Sequence, residues 1–160
     1  CRESDPGSRA TCTAVFRVML YVMCGIPGSG KSTYAATIEA DEILSADIVR
    51  KVRGKLDLHQ TGALRMLAPP RLRAGETLVI DACNTKKSER LSWLDAARWS
   101  MCESHLMIMR TPLEVCRERN AERGAQAVPD NVLISQHDRM TRIDEALLDE
   151  PWSSVTVVES

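Results

Sequence analysis

The sequence is poor in aromatic residues, which make up 4% of its 160 residues. Proteins that bind single strands by stacking bases need several exposed aromatic rings, so an aromatic stacking platform is not expected. The chain also lacks an excess of charge, because 21 lysines and arginines face 22 aspartates and glutamates, for a formal net charge of −1. Wholesale electrostatic binding to nucleic acid or membrane is therefore not indicated, although a local basic surface is still compatible with this balance.

Long hydrophobic runs are missing as well. The longest one, Val18 to Cys24, has seven residues, whereas a helix needs roughly 20 to span a bilayer. The six cysteines include no C-x-x-C pair, which disfavours a zinc ribbon or a redox motif. Free thiols near apolar runs behave as small hydrophobic groups. The favoured interpretation is a cytoplasmic protein with reduced cysteines and no membrane partner.

The order of apolar and helical stretches predicts the fold class. Residues 1–14 are small and polar, and we expect a loose leader there and a single domain over residues 15–160. The runs expected to form strands are Val18–Cys24, Glu42–Ala46, Thr77–Ala82, His105–Met109 and Val155–Val158. The stretches with helical spacing are Lys31–Ala40, Ile48–Gly75, Lys86–Cys102, Leu113–Arg123 and Asp130–Leu148, with a break required at Pro69-Pro70. This alternation predicts a three-layer α/β fold around a parallel sheet.

The strongest motif is Gly25-Ile26-Pro27-Gly28-Ser29-Gly30-Lys31-Ser32, which fits the pattern G-x-x-x-x-G-K-[ST] in full. An apolar run precedes it and a helical pattern follows, as a phosphate-binding loop requires, which disfavours a glycine-rich turn that binds no nucleotide. Glycines let successive backbone N–H groups point at one phosphate chain, and the next helix turns its positive dipole end toward the anion. The expected ATP contacts are Gly25, Pro27, Gly28, Ser29, Gly30, Lys31, Ser32 and Thr33.

The loop alone does not distinguish an ATPase, a GTPase and a kinase. The chain has no N-K-x-D-like element for guanine, and energy-coupling ATPases usually need a longer chain. A small kinase is therefore favoured. In such an enzyme Lys31 would bring a positive charge to the β and γ oxygens of ATP, and Ser32 would offer its hydroxyl to Mg²⁺.

Two aspartates lie at the ends of predicted strands, at the edge of a parallel sheet where ligands bind. Asp47 could accept the proton of an acceptor hydroxyl as a general base, with Arg50 beside it on the same helix face. Equally, Asp47 could be only the N-cap of the helix that follows. Asp81 ends a Walker B-like run and would hold Mg²⁺ through water. Asn84 could be an ordinary turn residue or a polar contact to the acceptor.

Arg119 and Arg123 are spaced four residues apart and share a helix face. On a mobile lid they could close over the nucleotide and neutralise charge on the moving phosphoryl group. The alternative is a solvated helix with Glu118 and Glu122 as ion-pair partners. Residues 50–75 also carry seven basic side chains against one aspartate, which would attract an acceptor rich in phosphate or form a surface balanced elsewhere in the fold.

Taken together, these residues resemble the kinase domain of polynucleotide 5′-hydroxyl kinases, of the phage type and of the bacterial RNA-repair type. The matching pieces are GIPGSGKST, ILSADIVR, LVIDACN and CRERNAERGAQAVPDNVL. The resemblance implies a P-loop kinase fold with a five-stranded parallel sheet and a helical lid, and transfer of the γ-phosphate of ATP, with Mg²⁺, to a 5′-hydroxyl of RNA or DNA. It implies Asp47 as general base, Arg50 as a contact to the acceptor's phosphate, and Lys31, Arg119 and Arg123 as stabilisers of the transferring phosphoryl group.

The chain also departs from this family. Asp81-Ala82-Cys83-Asn84 follows the bacterial Asp-Ala-Thr-Asn spacing with Cys in place of Thr. No D-x-D-x-T phosphatase motif is present, so the protein either acts alone or has separate phosphatase or ligase chains as partners in nucleic acid repair. The same superfamily includes kinases of small molecules and toxin kinases of nucleotide sugars. A non-catalytic ATP-binding module is a further alternative.

Overall fold

The computed structural model describes residues 17–53 and 60–159, with residues 50–53, 60 and 61 described in their backbone only. The leader expected at residues 1–14 lies outside these ranges. The strands are β1 (Met19–Cys24), β2 (Glu42–Ser45), β3 (Leu78–Asp81), β4 (Glu103–Arg110) and β5 (Ser154–Glu159). The helices are α1 (Lys31–Ala35), α2 (Ala46–Arg53), α3 (Gln60–Arg73), α4 (Lys87–Ser100), α5 (Leu113–Ala121), α6 (Asp130–Thr141) and α7 (Ile143–Leu147), with a 3-10 turn at Gly124–Gln126. None of the helices in the described ranges is long and apolar enough to cross a membrane.

The strands form one five-stranded sheet in the order β2-β3-β1-β4-β5. Every neighbouring pair is parallel, and Val22 of the central strand β1 lies between Ile80 of β3 and Leu106 of β4. The chain leaves β1 toward one edge of the sheet and later returns to the other edge. In such sheets ligands bind beyond the carboxyl end of the strand where the order reverses, which here is β1.

Helices cover both faces of the sheet. On one face the strand residues Leu20, Val22, Ile80, Leu106 and Ile108 pack against α3, α4 and α7 through Leu64, Ala68, Leu72, Trp93, Ala97 and Ile143. On the other face Met23, Val79, Met107 and Met109 pack against Ala35 and Tyr34 of α1. Burial on both faces is what the unbroken apolar runs of β1, β3 and β4 predict. The predicted α/β, three-layer fold with a five-stranded parallel sheet is confirmed.

The helix break predicted at Pro69-Pro70 is wrong, because α3 continues to Arg73 and contains both prolines. Each proline lacks the N–H that would bond the carbonyl four residues earlier. One of those carbonyls belongs to Met66, which is 80% exposed, so water can reach this side of the helix. The opposite side is buried through Leu64, Ala68 and Leu72. Tertiary packing of this apolar face, rather than local propensity, stabilises the helix.

Two other helices are shorter than their patterns predict. Helix α1 ends at Ala35, and the pattern over residues 130–148 divides into α6 and α7 at Arg142. Arg142 has a φ of −106° and ψ of 8°, outside the helical region. Boundaries of this kind depend on local capping and packing that hydrophobic periodicity does not encode.

The buried centre of the sheet allows a matched stability test. Ile108 of β4 is 0% exposed, whereas its register partner Val157 on the edge strand β5 is 43% exposed. Ile108→Ala would leave a cavity, so we expect the free energy of unfolding in a urea titration to fall by about 2–5 kcal/mol. Val157→Ala should cost less than about 1 kcal/mol. Equal losses in the two variants would contradict the packing assigned to β4.

Candidate active site

The segment between β1 and α1 is a tightly curled loop. The Gly25 amide donates to the carbonyl of Cys83 at 2.9 Å, and the Ser29 amide donates back to the carbonyl of Ile26 at 3.2 Å. Gly28 and Gly30 have φ values of +83° and +87°. Side chains other than hydrogen are strained in this left-handed region, so the two glycines make the curl possible.

The absence of a side chain at Gly28 is also required sterically. A Cβ at this position would lie 2.5 Å from the carbonyl oxygen of Cys116, a buried residue of α5. The hydroxyl of Thr111, which directly follows β4, donates to the carbonyl of Ser29 at 3.0 Å. The loop therefore rests directly on the helix that carries Arg119.

A cavity of about 520 Å³ lies over the loop, a size in the usual range for ligand pockets. It is lined by Gly28, Ser29, Gly30, Lys31, Ser32, Thr33, Tyr34, Thr37, Met109, Arg119, Arg123 and Val158. Six of the eight ATP contacts predicted in the loop are thus brought together at one cavity, with Arg119 and Arg123, which were predicted to close over the nucleotide. Gly25 and Pro27 belong to the same loop but are buried and do not line the cavity.

Two cations contact the loop. The Lys31 side chain is turned inward, since the residue is 8% exposed and its Nζ donates to the carbonyl of Ile26 at 2.8 Å. Nη1 of Arg119 donates to the carbonyl of Gly28 at 3.3 Å. The Oγ atom of Ser29 is buried with no hydrogen-bond partner in the described part of the chain. A phosphate group at this loop would supply an acceptor for all three side chains.

Ser32 and Asp81, the predicted Mg²⁺ ligands, are adjacent. The Ser32 hydroxyl donates to Oδ2 of Asp81 at 2.7 Å, and Asp81 is 7% exposed at the carboxyl end of β3. Within residues 17–53 and 60–159 no group of three or more His, Cys, Asp or Glu side chains could hold a metal. The pair fits Mg²⁺, which prefers one or two protein oxygens plus waters and substrate phosphates over an all-protein cage.

Asp47 is half-buried and is the second residue of α2, directly after β2. Ser45 precedes the helix, and its Oγ accepts the Asp47 amide at 3.3 Å, which is N-cap geometry. The alternative that Asp47 itself is the N-cap is therefore wrong. Ser45 faces Asp81 in the register of β2 and β3, so Asp47 follows the strand end beside Asp81. Arg50 lies three residues later in the same helix, and its side chain lies outside the described part of the structure.

Asn84 is buried in the interior, which corrects the acceptor contact predicted for it. The residue is 1% exposed and has a φ of 46°. Its Nδ2 donates to the carbonyl of Met23 at 2.8 Å, and its Oδ1 accepts Nε1 of Trp93 at 3.1 Å. Both ends of the amide are occupied by the fold, and Asn84 holds the turn after β3 instead of a substrate.

Hydrogen bonds join the two ends of the predicted lid, which runs from α5 to α6. Arg117 donates to both carboxylate oxygens of Asp130, at 2.7 and 2.9 Å. This hydrogen-bonded guanidinium lowers the pKa of the Asp130 carboxyl. The side chain of Asn120 makes two hydrogen bonds to the backbone of Val128, at 2.8 and 2.9 Å. Residues 121–127 lie between these contacts and include the end of α5 and the 3-10 turn. Arg123, in this segment, lines the cavity.

Several of these contacts have no counterpart in the sequence predictions. Thr111, like Asp81, is a polar residue next to the end of an apolar run, and this pattern could have identified it from the sequence. Arg90, a further buried residue of α4, occupies an inward position in the helical pattern with Trp93 and Ala97, and this position indicates a buried charge. The contact between Gly28 and Cys116 has no sequence signal, because it depends on how α5 packs.

A family model described as an AAA domain matches residues 20–145. No curated protein matches the chain in sequence. Among solved structures, a chain of the Pnkp1/Rnl/Hen1 RNA repair complex has a TM-score of 0.63 and 19% identity, over 81% of this chain and 46% of that one.

Two other solved structures have the same fold. A sugar kinase from Janibacter sp. has a TM-score of 0.62 and 23% identity, over 89% of this chain and 85% of that one. The APS kinase CysC of Mycobacterium tuberculosis, in complex with AMPPNP and APS, has a TM-score of 0.55 and 20% identity, over 65% of this chain and 69% of that one. At these identities the similarities show the fold, which is that of P-loop kinases.

The inward position of Lys31 predicts a specific loss. Lys31→Ala removes a charged donor from the loop, so we expect the Kd for MgATP in isothermal titration calorimetry to rise about tenfold or more. Lys87, an exposed lysine of α4 whose Nζ is 3.6 Å from Asp149, provides the control, and Lys87→Ala should bind MgATP like the wild type. Unchanged affinity in Lys31→Ala would contradict the phosphate-loop assignment.

The Ser32–Asp81 pair predicts a metal-dependent effect. Asp81→Asn removes the negative charge that attracts the cation, so ATP binding should need about tenfold more Mg²⁺ for half-saturation. In EDTA the affinity of Asp81→Asn for ATP should be close to that of the wild type, because no cation is then present for the carboxylate to attract. A variant that loses affinity equally with and without Mg²⁺ would argue against a metal role.

Proposed function

We propose that the chain, which belongs to the AAA domain family whose model matches most of its length, is an ATP-dependent kinase. The reaction proposed is transfer of the γ-phosphate of ATP to a 5′-hydroxyl of RNA or DNA. The observation that carries the proposal is the convergence of Lys31, Arg119 and Arg123 on one cavity over the phosphate loop. Cations placed around a phosphate chain from different elements stabilise the charge that develops during transfer.

The donor side of the site would be built from the loop and its cations. Backbone amides of the loop would bind the phosphate chain of ATP, with Lys31 at its oxygens. Ser32 and Asp81 would hold Mg²⁺, which when bound neutralises charge on the phosphate oxygens. Arg119 and Arg123 would approach from the α5 side and stabilise the transferring group.

The acceptor side would lie beyond β2 and β3, where Asp47 follows the strand that neighbours Asp81. The Asp47 carboxylate would take the proton of the acceptor hydroxyl as its oxygen forms a bond to the γ-phosphorus. The bond between that phosphorus and the oxygen bridging to the β-phosphate breaks, and ADP leaves. Arg50, three residues along α2, would contact an acceptor phosphate.

A polynucleotide acceptor is supported by the S-x-D-x-x-R and R-N-x-x-R pieces of the sequence and by basic residues in positions 50–75, of which Lys55 lies outside the described residues. A chain of the RNA repair complex has this fold, and we propose separate phosphatase or ligase chains as partners of this protein. A small-molecule or nucleotide-sugar kinase is the second candidate, because the sugar kinase and the APS kinase share the fold to a similar degree. The third is an ATP-binding module without transfer.

The proposal predicts which side chain transfer requires. With γ-labelled ATP, Mg²⁺ and a short 5′-hydroxyl oligonucleotide, the wild type should label the oligonucleotide, and Asp47→Ala should be slower by about 10²–10⁴-fold. The Kd of Asp47→Ala for ATP should stay within about twofold of the wild type, because Asp47 lies on the acceptor side. Asp95, an exposed aspartate of α4, is the control, and Asp95→Ala should keep full activity.

Each other outcome identifies a different error. Parallel loss of ATP binding and transfer in Asp47→Ala would make Asp47 a structural residue. ATP binding without labelling of any oligonucleotide by the wild type would contradict the polynucleotide acceptor and favour a small molecule. A steep rise of the acceptor KM with salt would support the polynucleotide, since neutralised phosphates release counterions on binding.

A further inference from the structure

A buried ion pair lies behind the candidate active site, and the proposed chemistry does not use it. Arg90 of α4 and Glu150, between α7 and β5, have side chains that are 1% and 0% exposed. Nε of Arg90 donates to Oε2 of Glu150 at 2.9 Å, and Nη2 donates to Oε1 at 2.7 Å. The indole Nε1 of Trp152 donates to Oε2 of Glu150 at 2.9 Å.

Stability alone does not account for this pair. Taking two charges out of water is costly, and replacing a buried ion pair by apolar side chains of similar volume is often neutral or stabilising. Burial acts to lower the pKa of Arg90, but the hydrogen bond and charge of Glu150 outweigh it and leave the pKa above its ordinary value. Arg90 is therefore a permanent cation at this position.

The third nitrogen of the guanidinium points to the loop between β3 and α4. Nη1 of Arg90 donates to the carbonyls of Asn84 at 3.2 Å and Thr85 at 3.0 Å. The Cys24 thiol also donates to the carbonyl of Asn84, at 3.3 Å. Asn84 has a left-handed backbone, with φ of 46°, so this turn needs outside contacts to hold its shape.

The same turn contacts the phosphate loop. The carbonyl of Cys83, one residue before Asn84, accepts the amide of Gly25, the first residue of the phosphate-loop motif, at 2.9 Å. Asp81 lies two residues before Cys83 and bonds Ser32. A displacement of the turn would therefore move both the start of the phosphate loop and the carboxylate beside its end.

We propose that Arg90 is a positioning residue for the nucleotide, held by Glu150 so that its guanidinium fixes the β3–α4 turn and, through the turn, the phosphate loop. The proposal rests on the proposed function only in that the loop binds ATP, and it is independent of the acceptor. Glu150 orients the guanidinium of Arg90 and neutralises its charge. The hydrogen bonds from Arg90 to the carbonyls of Asn84 and Thr85 are the ones that hold the turn.

Three variants separate positioning from folding. Arg90→Met combined with Glu150→Leu removes both charges and keeps the volume, but it also removes the hydrogen bonds to the carbonyls of Asn84 and Thr85 and to the Trp152 indole. Its Tm should therefore fall somewhat, and binding is measured at a temperature where the variant is fully folded. Its Kd for MgATP, measured by calorimetry without acceptor, should rise at least tenfold. Arg90→Lys keeps the charge but lacks the planar fork that reaches the carboxylate and the carbonyls together, and its Kd should rise severalfold. Ile143→Val, in the same apolar core, should lower Tm with an unchanged Kd.

A folded double variant that binds MgATP like the wild type would overturn the proposal. If the double variant does not fold, Arg90→Lys is decisive at a temperature where it is fully folded. A wild-type Kd then overturns the proposal, and a raised Kd supports it. A raised Kd in Ile143→Val as well would show that general destabilisation is sufficient, which also overturns it. Wild-type protein that binds ATP without transferring phosphate would contradict the proposed function and leave this test unaffected.

Discussion

The candidate site depends on one steric constraint, the absence of a side chain at Gly28. Because a Cβ there would meet the carbonyl of Cys116 at 2.5 Å, only glycine lets the phosphate loop rest on α5. That contact brings Arg119 within hydrogen-bond distance of the loop and places Arg123 at the same cavity. The cations that the chemistry would need therefore reach the phosphate site through backbone packing, and not through long flexible side chains alone.

The loop is held on its other side by the turn after β3. The Gly25–Cys83 hydrogen bond joins the two segments, and a buried group of polar side chains around Asn84 and Arg90 fixes the turn. Such polar networks are costly unless every member is satisfied. Here one end of the network holds the turn that follows Asp81, and the other end includes Glu150, which precedes the last strand. A rigid frame of this kind suits a site in which phosphates must be positioned before transfer.

Much of the fold follows from the sequence, because strands buried on both faces leave continuous apolar runs and the phosphate loop has a specific pattern. The positions of Asp47 after β2 and of Asp81 at the end of β3 were predictable for the same reason. Asn84 was misjudged because a polar residue in a turn gives no sign of whether it faces solvent or the interior. The prolines of α3 were misjudged because packing of Leu64, Ala68 and Leu72 outweighs a local preference. The contact between Arg90 and Glu150 could be found only in the structure, since the two residues are 60 positions apart in the chain.

The proposed reaction is transfer of phosphate to a terminal hydroxyl of a polynucleotide. The most direct measurement offers the protein labelled ATP and two oligonucleotides of one sequence, one with a free 5′-hydroxyl and one with that oxygen methylated. Label only on the free 5′-hydroxyl, released by digestion as a 5′-phosphorylated terminal nucleotide, is the result that the account predicts. Label on neither oligonucleotide, or equal label on both, would contradict it.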